Sequence, residues 1–314
     1  MYPPEQIMTA IVSAPDTFYI FRWDRHGRKG ERCLVLARGT MNSCLVKFED
    51  GFTMVTSRNA LKRDFWMQFP KIVRDLDRDG EIRALILRGD GNHFSSGIDV
   101  SLLSAFVAEP GDRELGRSRA NLRLMLFKMH EVFDALAKAR FPAIAAVQGA
   151  CLGGALDLAT ACDIRLATSD AYFSIQEIQM GMVADLGSLQ RLPRQLPQSV
   201  VRELAYTGRR LDANRAFKLG FVNDVLASQS DLPKAAEMMS EEISARSPLA
   251  IWGTKENFNR AERREIDEGL SYIAAWNAGM FMPEDINESL GAVAEKRKPR
   301  YRNLLPIQHV FSEE

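Results

Sequence analysis

Pro142–Asp157, PAIAAVQGACLGGALD, is the stretch on which the fold turns. Its first six residues are an unbroken apolar run of strand length, as expected of a strand buried on both faces. Gln148-Gly149 interrupts the run, and Gly153-Gly154 opens a helical stretch that continues to Ala161. A buried strand that turns through glycines into a helix is the unit from which parallel sheets are built. The wider segment 143–162 is the chain's best candidate for a membrane span. Gln148, Asp157 and its glycines suit a bilayer core poorly, so it reads as protein core.

Outward from this unit the pattern repeats. Strands are expected over 51–56, 82–87, 164–167 and 172–175. Helices are expected over 59–76, where Leu61, Phe65, Phe69, Ile72 and Val73 share a side, and over 119–138. Strands alternating with helices predict an α/β fold with parallel pairing. Beyond Asp185 the pattern is helical, with segments expected at 189–196, 199–207, 212–219, 231–245, 248–258, 260–278 and 283–296. The chain divides into an N-terminal extension of unknown role (1–45), an α/β core (46–240) and a C-terminal helical region (241–314).

The whole chain has 314 residues, enough for about two domains or one large one. Lys and Arg together number 41, as do Asp and Glu, and this zero net charge argues against a basic nucleic-acid binder. Cys33, Cys44, Cys151 and Cys162 have neither metal spacing nor the density of a disulfide-stapled secreted domain, so reduced thiols are expected. His26, His93, His130 and His309 are too dispersed for a zinc motif. No GxGxxG, P-loop or Gly-x-Ser-x-Gly pattern supports a dinucleotide-dependent dehydrogenase, an NTPase or a serine hydrolase. Residues 1–45 mix arginines with Glu5, Asp16, Asp24 and Glu31, which fits neither a mitochondrial presequence nor a secretory signal. Ser312-Glu313-Glu314 is not a peroxisomal tripeptide, and the compartment, mitochondrial or cytoplasmic, stays open.

Several residues have the chemistry of a site. Gly153-Gly154 at a helix start offers a backbone N–H aided by the helix dipole, and glycine permits close approach. Asp157 stands in that helix's first turn, Glu177 follows a short strand, and Asp185 precedes a helix. Singly, each has a bland explanation: a dipole-complementing acid, a solvated strand end, a helix cap.

Phe94–Asp99 (FSSGID), Gln148–Asp157 (QGACLGGALD), Ala161–Arg165 (ACDIR) and Leu189–Pro193 (LQRLP) together resemble the crotonase (enoyl-CoA hydratase/isomerase) superfamily over roughly residues 46–300. The resemblance implies a spiral of ββα units with a C-terminal helical trimerisation region. It also implies an acyl-CoA thioester as ligand, bound as a homotrimer or homohexamer. No nucleic acid, membrane, metal or redox cofactor is expected, since CoA arrives with the substrate. The N–H groups of Ile98 and Gly154 would form the oxyanion hole, each worth ~3 kcal/mol. Ser96, Gly97, Gly153 and Lys255 would contact substrate. Hydratases of the family carry glutamates at the positions of Asp157 and Glu177, and many relatives have glycine at Asp185. The triple Asp157, Glu177, Asp185, with its flank Val183–Pro193, resembles instead the Δ3,5-Δ2,4-dienoyl-CoA isomerases. There, two carboxyls would divide proton removal at C2 from delivery at C6. Glu177 is assigned to C2 and Asp185 to C6, the reverse remaining open, with Asp157 tuning the site. Three such acids in an apolar pocket should not all ionise. The alternatives are an enoyl-CoA hydratase and, ranked lower, a non-catalytic or RNA-binding crotonase-fold protein, hinted at by Lys62, Arg63, Lys71 and Arg74. The loop before Asn59-Ala60-Leu61, which in the family helps hold the CoA nucleotide, is shortened here. Asp163 and Arg165 read as a structural charge pair, His93 as a surface loop residue, and Met180 and Met182 as pocket or core fillers.

Overall fold

The computed structural model describes residues 65–98, 115–280, 284–302 and 304 in full, and the backbone of Pro283 and of five strands between 18 and 63. Those strands are β1 (Phe18–Phe21), β2 (Arg32–Arg38), β3 (Ser43–Phe48), β4 (Thr53–Ser57) and β5 (Leu61–Arg63). They form one antiparallel sheet in the order β4-β3-β2-β1-β5. The 45/46 boundary of the expected extension falls inside β3, which pairs with β2 on one side and β4 on the other. Of the shortened loop at Ser57-Arg58 only the backbone of Ser57, in β4, is described, and Asp99 of the FSSGID motif lies outside the described residues.

From Phe65 the chain winds in ββα turns. Helix α1 (Phe65–Asp79) leads to β6 (Leu85–Arg88) and, after the loop carrying Ser95, to α2 (Leu115–Lys138). The next turn is β7 (Ala143–Val147), β8 (Ala150–Leu152) and α3 (Gly154–Ala161). The third is β9 (Ile164–Thr168), β10 (Tyr172–Ser174), a 3₁₀ turn at Glu177–Met180 and α4 (Ser188–Gln195). The first strand of each turn joins a parallel sheet ordered β12-β9-β7-β6, where β12 is Asp224–Leu226. The second strand joins another stack: Ser95 bridges Cys151 in parallel, β8 pairs β10, and β10 pairs β11 (Leu211–Asp212). Because parallel neighbours need a long crossover, a helix follows each pair.

Strand β7 is wholly buried, as its composition predicts. Ala143, Ala145 and Val147 face the main core with Val132, Phe133 and Leu136 of α2. Ile144 and Ala146 face a second core with Ile86, Leu166 and, from α7 (Asp231–Ser244), Leu232 and Ala236. Each large apolar side chain so enclosed contributes about 2 kcal/mol. Helix α5 (Gln198–Thr207) precedes β11 and α6 (Ala213–Lys218) follows it; α8 (Pro248–Met280) and α9 (Pro283–Ala294) complete the chain.

Three expectations need correction. The helix expected from Asn59 begins at Phe65, because Leu61–Arg63 is drawn into pairing with β1. The two helices expected over 248–278 are one, α8, because Asn259 donates to the Ala137 carbonyl (2.9 Å) instead of capping a new start. Asp163 and Arg165 do not form a pair. Arg165 donates to the carbonyls of Phe221, Ala159 and Cys162 (2.6, 3.1 and 2.8 Å), closing the C-terminal end of α3, while Asp163 pairs with Lys255. Among the described residues no helix is long and apolar enough to cross a membrane.

Candidate active site

The site lies at the carboxyl end of β7, where the second-layer segments meet. Ser95 N–H donates to Ala150 O (3.0 Å) and Leu152 N–H to Ser95 O (3.2 Å). This pairing brings Gly97 and Ile98 alongside Gly153 and Gly154. Both glycines have left-handed backbone, φ 86° at Gly97 and 52° at Gly153, which an L side chain resists. A Cβ at Gly97 would lie 2.5 Å from Leu152 O and 3.4 Å from Gly154 N. A Cβ at Gly154 would touch Ile98 Cγ1 at 3.3 Å. Gly97 and Ile98 thus border Gly154, and neither the Ile98 nor the Gly154 amide donates to an acceptor among the described residues. Ser96 is exposed beside them.

The three acids come from separate elements and lie within electrostatic reach of one another. Asp157, fully buried one turn into α3, accepts from Ser188 N–H (2.6 Å) and Ser188 Oγ–H (2.7 Å) on Oδ1, while its Oδ2 has no partner among the described residues. Glu177 opens the 3₁₀ turn; its Oε1 stands 3.1 Å from where a Gly153 Cβ would be, and its Oε2 is shut from solvent and unpartnered among the described residues. Asp185 sits in the loop between the 3₁₀ turn and α4. Its Oδ2 accepts from Asn277 Nδ2 (2.7 Å), and its backbone carbonyl accepts from His130 Nε2 (2.6 Å).

Burial raises all three carboxyls, since desolvation penalises the charged form. Asp157 is pushed up to about 6, the Ser188 hydrogen bonds and Arg191 restraining it. Asp185 also reaches about 6, with Asn277 restraining it and the charge of Asp157 raising it. Glu177 is pushed furthest, to about 8, because the charges of Asp157 and Asp185 add to its burial. Of the three, Glu177 is therefore the acid whose protonated form the site favours most. The His130 imidazole is lowered by burial and stays neutral, fit to donate to the Asp185 carbonyl.

The loop bearing Asp185 is clamped from all sides. Arg191 donates to Leu186 O (3.2 Å) and pairs with Asp134 (3.4 Å); Asn277 also donates to Val183 O (3.1 Å). His130, Ser188, Arg191 and Asn277 were not singled out from the sequence. Ser188 and Arg191 lie in the diagnostic Val183–Pro193 flank, whereas nothing in the sequence signals Asn277 within a long helix.

Lys255 is placed elsewhere. Its ammonium donates to Phe141 O (2.9 Å), Leu136 O (3.4 Å) and Asp163 Oδ2 (2.8 Å), and the residue is 6% exposed. Those partners lie at the amino ends of β7 and β9, opposite the carboxylates, so the expected substrate contact is replaced by a structural clamp. His93, though exposed, accepts the Ala150 N–H on Nδ1 (3.1 Å) and so supports the second strand layer. Lys71 and Arg74 are paired with Asp75 (2.5 Å) and Glu131 (2.8 Å), which removes their share of the hinted basic stripe. Among the described residues no cluster of His, Cys, Asp or Glu could hold a metal ion.

The chain is 42% identical over 247 residues to the peroxisomal Δ(3,5)-Δ(2,4)-dienoyl-CoA isomerase of Arabidopsis thaliana, covering 78% of this chain and 89% of that one. It is 36% identical over 242 residues to the mitochondrial Δ(3,5)-Δ(2,4)-dienoyl-CoA isomerase of Homo sapiens (77% and 74% covered). An enoyl-CoA hydratase/isomerase from Mycobacterium paratuberculosis superposes with a TM-score of 0.64 at 26% identity, over 73% of this chain and 87% of that one. The family model for enoyl-CoA hydratase/isomerase matches residues 44–304. With its spiral of ββα turns, the chain belongs to the enoyl-CoA hydratase/isomerase family.

Proposed function

We propose that this protein is a Δ3,5-Δ2,4-dienoyl-CoA isomerase of unsaturated fatty-acid β-oxidation. The observation that carries the reading is the third carboxyl: Asp185 stands within electrostatic reach of Glu177 and Asp157. The relatives named dienoyl-CoA isomerase at 36–42% identity support it.

The thioester oxygen is received by the amides of Ile98 and Gly154, with Ser96, Gly97 and Gly153 forming the wall it passes. Glu177, beside Gly153, is at the thioester end and takes the proton from C2. The electron pair from the C2–H bond spreads through the two double bonds to the carbonyl oxygen, where the amides stabilise it by ~3 kcal/mol each. Asp185 then delivers a proton to C6. The double bonds end between C2 and C3 and between C4 and C5, with no net gain or loss of atoms. Asp157 keeps Glu177 from ionising too readily. No cofactor takes part, because proton transfer through an enolate needs none.

Glu177 holds the shared proton more firmly than Asp185, which has a consequence. Forward turnover begins with the proton on Asp185 and ends with it on Glu177. The forward reaction thus leaves the acids in their preferred arrangement, and the cycle closes by proton exchange with solvent.

The Asp157–Glu177 pair could also activate a water, as a hydratase would. Diene formation from a 3,5-dienoyl-CoA, read as absorbance of the product, is compared with water addition to crotonyl-CoA. Faster diene formation, lost in Asp185→Asn, supports the isomerase; faster hydration overturns it. Assembly as a homotrimer or homohexamer is proposed from the family and from the exposed Phe258, Tyr272 and Trp276 on α8. Light scattering giving a monomer mass would refute it.

A further inference from the structure

We infer that Asn277 is a positioning residue for Asp185, whose amide occupies Oδ2 so that Asp185 exchanges its proton with substrate through Oδ1. This rests on the reading of Asp185 as a proton carrier.

The orientation of the amide follows from its partners. Asn277 Nδ2 lies 3.1 Å from Val183 O and 2.7 Å from Asp185 Oδ2. A backbone carbonyl only accepts, so the NH₂ and not the amide oxygen faces the loop. Both its hydrogens are then committed, one to each end of the Val183–Asp185 segment. Asn277 is 4% exposed, so water does not compete for them.

The donor affects the two carboxylate oxygens unequally. Oδ2 already accepts a hydrogen, and protonating that oxygen would weaken the bond, so the donor favours keeping the proton off Oδ2. The side-chain hydrogen bond that the carboxyl accepts among the described residues falls on Oδ2, which leaves Oδ1 without a side-chain donor there. The proton therefore travels on Oδ1. The same bond stabilises the ionised carboxylate, opposing the burial that raises it.

Charged and titratable groups face Asp185 from several elements. Glu177 faces Asp185 from the 3₁₀ turn and Asp157 from α3, and both are acids. From α2 comes neutral His130, bound to the Asp185 backbone carbonyl, and from α4 comes Arg191, bound to Leu186 O and Asp134. Helix α9 meets the 3₁₀ turn at Gly181 through the backbone of Asp285 and the hydroxyl of Ser289. Of these, only Asn277 donates a side-chain hydrogen bond to the Asp185 carboxyl, alongside the backbone N–H of Asp185 itself. No other part of α8 reaches the acids through a hydrogen bond among the described residues, so Asn277 is the C-terminal helix's link to the chemistry.

The test is the pH–rate profile of Asn277→Leu, a substitution of similar volume without donors, measured on the full chain with a 3,5-dienoyl-CoA. Loss of the donor makes Asp185 harder to ionise, so the acidic limb moves to higher pH by about half a unit or more. At the optimum kcat falls about tenfold, while KM stays within about twofold. If Leu does not fold, Asn277→Asp keeps the shape, removes the NH₂ and adds a like charge, and the limb moves the same way. A profile that keeps its limbs while kcat falls would reduce Asn277 to packing and overturn the inference. Asp185→Asn is run alongside. If it isomerises at the wild-type rate, the reading of the site itself fails; if it is inactive while Asn277→Leu keeps its limbs, only the inference fails.

Discussion

Replacing Glu177 by Gln removes a group that holds a proton in the folded protein and gives it up on unfolding. The ordinary value of 4.5 is raised to about 8 by burial and by the neighbouring acids. Between those two pH values the folded state binds more protons than the unfolded state, so wild-type stability falls as pH rises. The stability is fully present below the unfolded value and lost as pH climbs through the folded one. Each unit is worth about 1.4 kcal/mol, so between pH 5 and pH 9 the wild type loses about 4 kcal/mol through this residue. Gln does not titrate. It does leave a buried polar group without a partner, because the Oε2 position has none among the described residues. That cost, about 1–3 kcal/mol, is the same at every pH. The decisive quantity is therefore the change in the mutant-minus-wild-type difference. Urea unfolding at equal protein concentration, at pH 5 and pH 9, measures it. Glu177→Gln should be the weaker protein at pH 5, and the difference should swing in its favour by about 4 kcal/mol at pH 9. A difference that moves by less than about 1 kcal/mol would refute the claim that Glu177 keeps its proton in the fold.

The isomerase rate should be bell-shaped in pH, with limbs near 6 and 8. Below the first, both carriers are protonated and no base remains for C2; above the second, both are ionised and nothing can protonate C6. A sigmoid with a single limb would contradict the shared proton. Lys255→Met leaves Asp163 without its cation and removes a buried ammonium from three oxygens, so unfolding free energy should drop by about 3 kcal/mol. KM should not change, because Lys255 lies at the far end of the sheet; a large rise in KM would restore the substrate contact. Gly97→Ala puts a methyl 2.5 Å from the Leu152 carbonyl beside the Gly154 amide, and diene formation should drop at least about 100-fold. Wild-type activity in that variant would argue that the amide of Ile98 does not serve the thioester oxygen.

The parts of the fold written as period and punctuation were legible before any coordinates. The apolar run before Gln148 and the paired glycines after it specify β7, the turn and α3, and the long α2 follows from its apolar spacing. What escaped depends on pairing across the chain. Leu61–Arg63 extends a helical pattern backwards, yet antiparallel pairing with Phe21–Tyr19 takes it into a sheet. The short strands β11 and β12 have too few residues to show a period, and exist because β10 and β9 offer edges. The acids were found because their chemistry and order are visible in one dimension. The groups that set those acids were not, because an asparagine inside a helix or a histidine on a buried face carries no local mark. Lys255 shows the converse: its segment matched a family helix, but its direction is set by the carbonyls of Leu136 and Phe141, which no local pattern encodes.

The division of labour between Glu177 and Asp185 is tested most directly by the origin of the hydrogen at C6. The isomerisation is run for less than one turnover per site in D₂O, with protein equilibrated in D₂O beforehand, and the product is examined by proton NMR. Two carriers predict deuterium at C6, because Asp185 delivers a solvent-derived proton while Glu177 retains the one from C2. Product in which the C2 hydrogen of the substrate reappears at C6 would mean that a single carboxyl ferries it, and the account would fail.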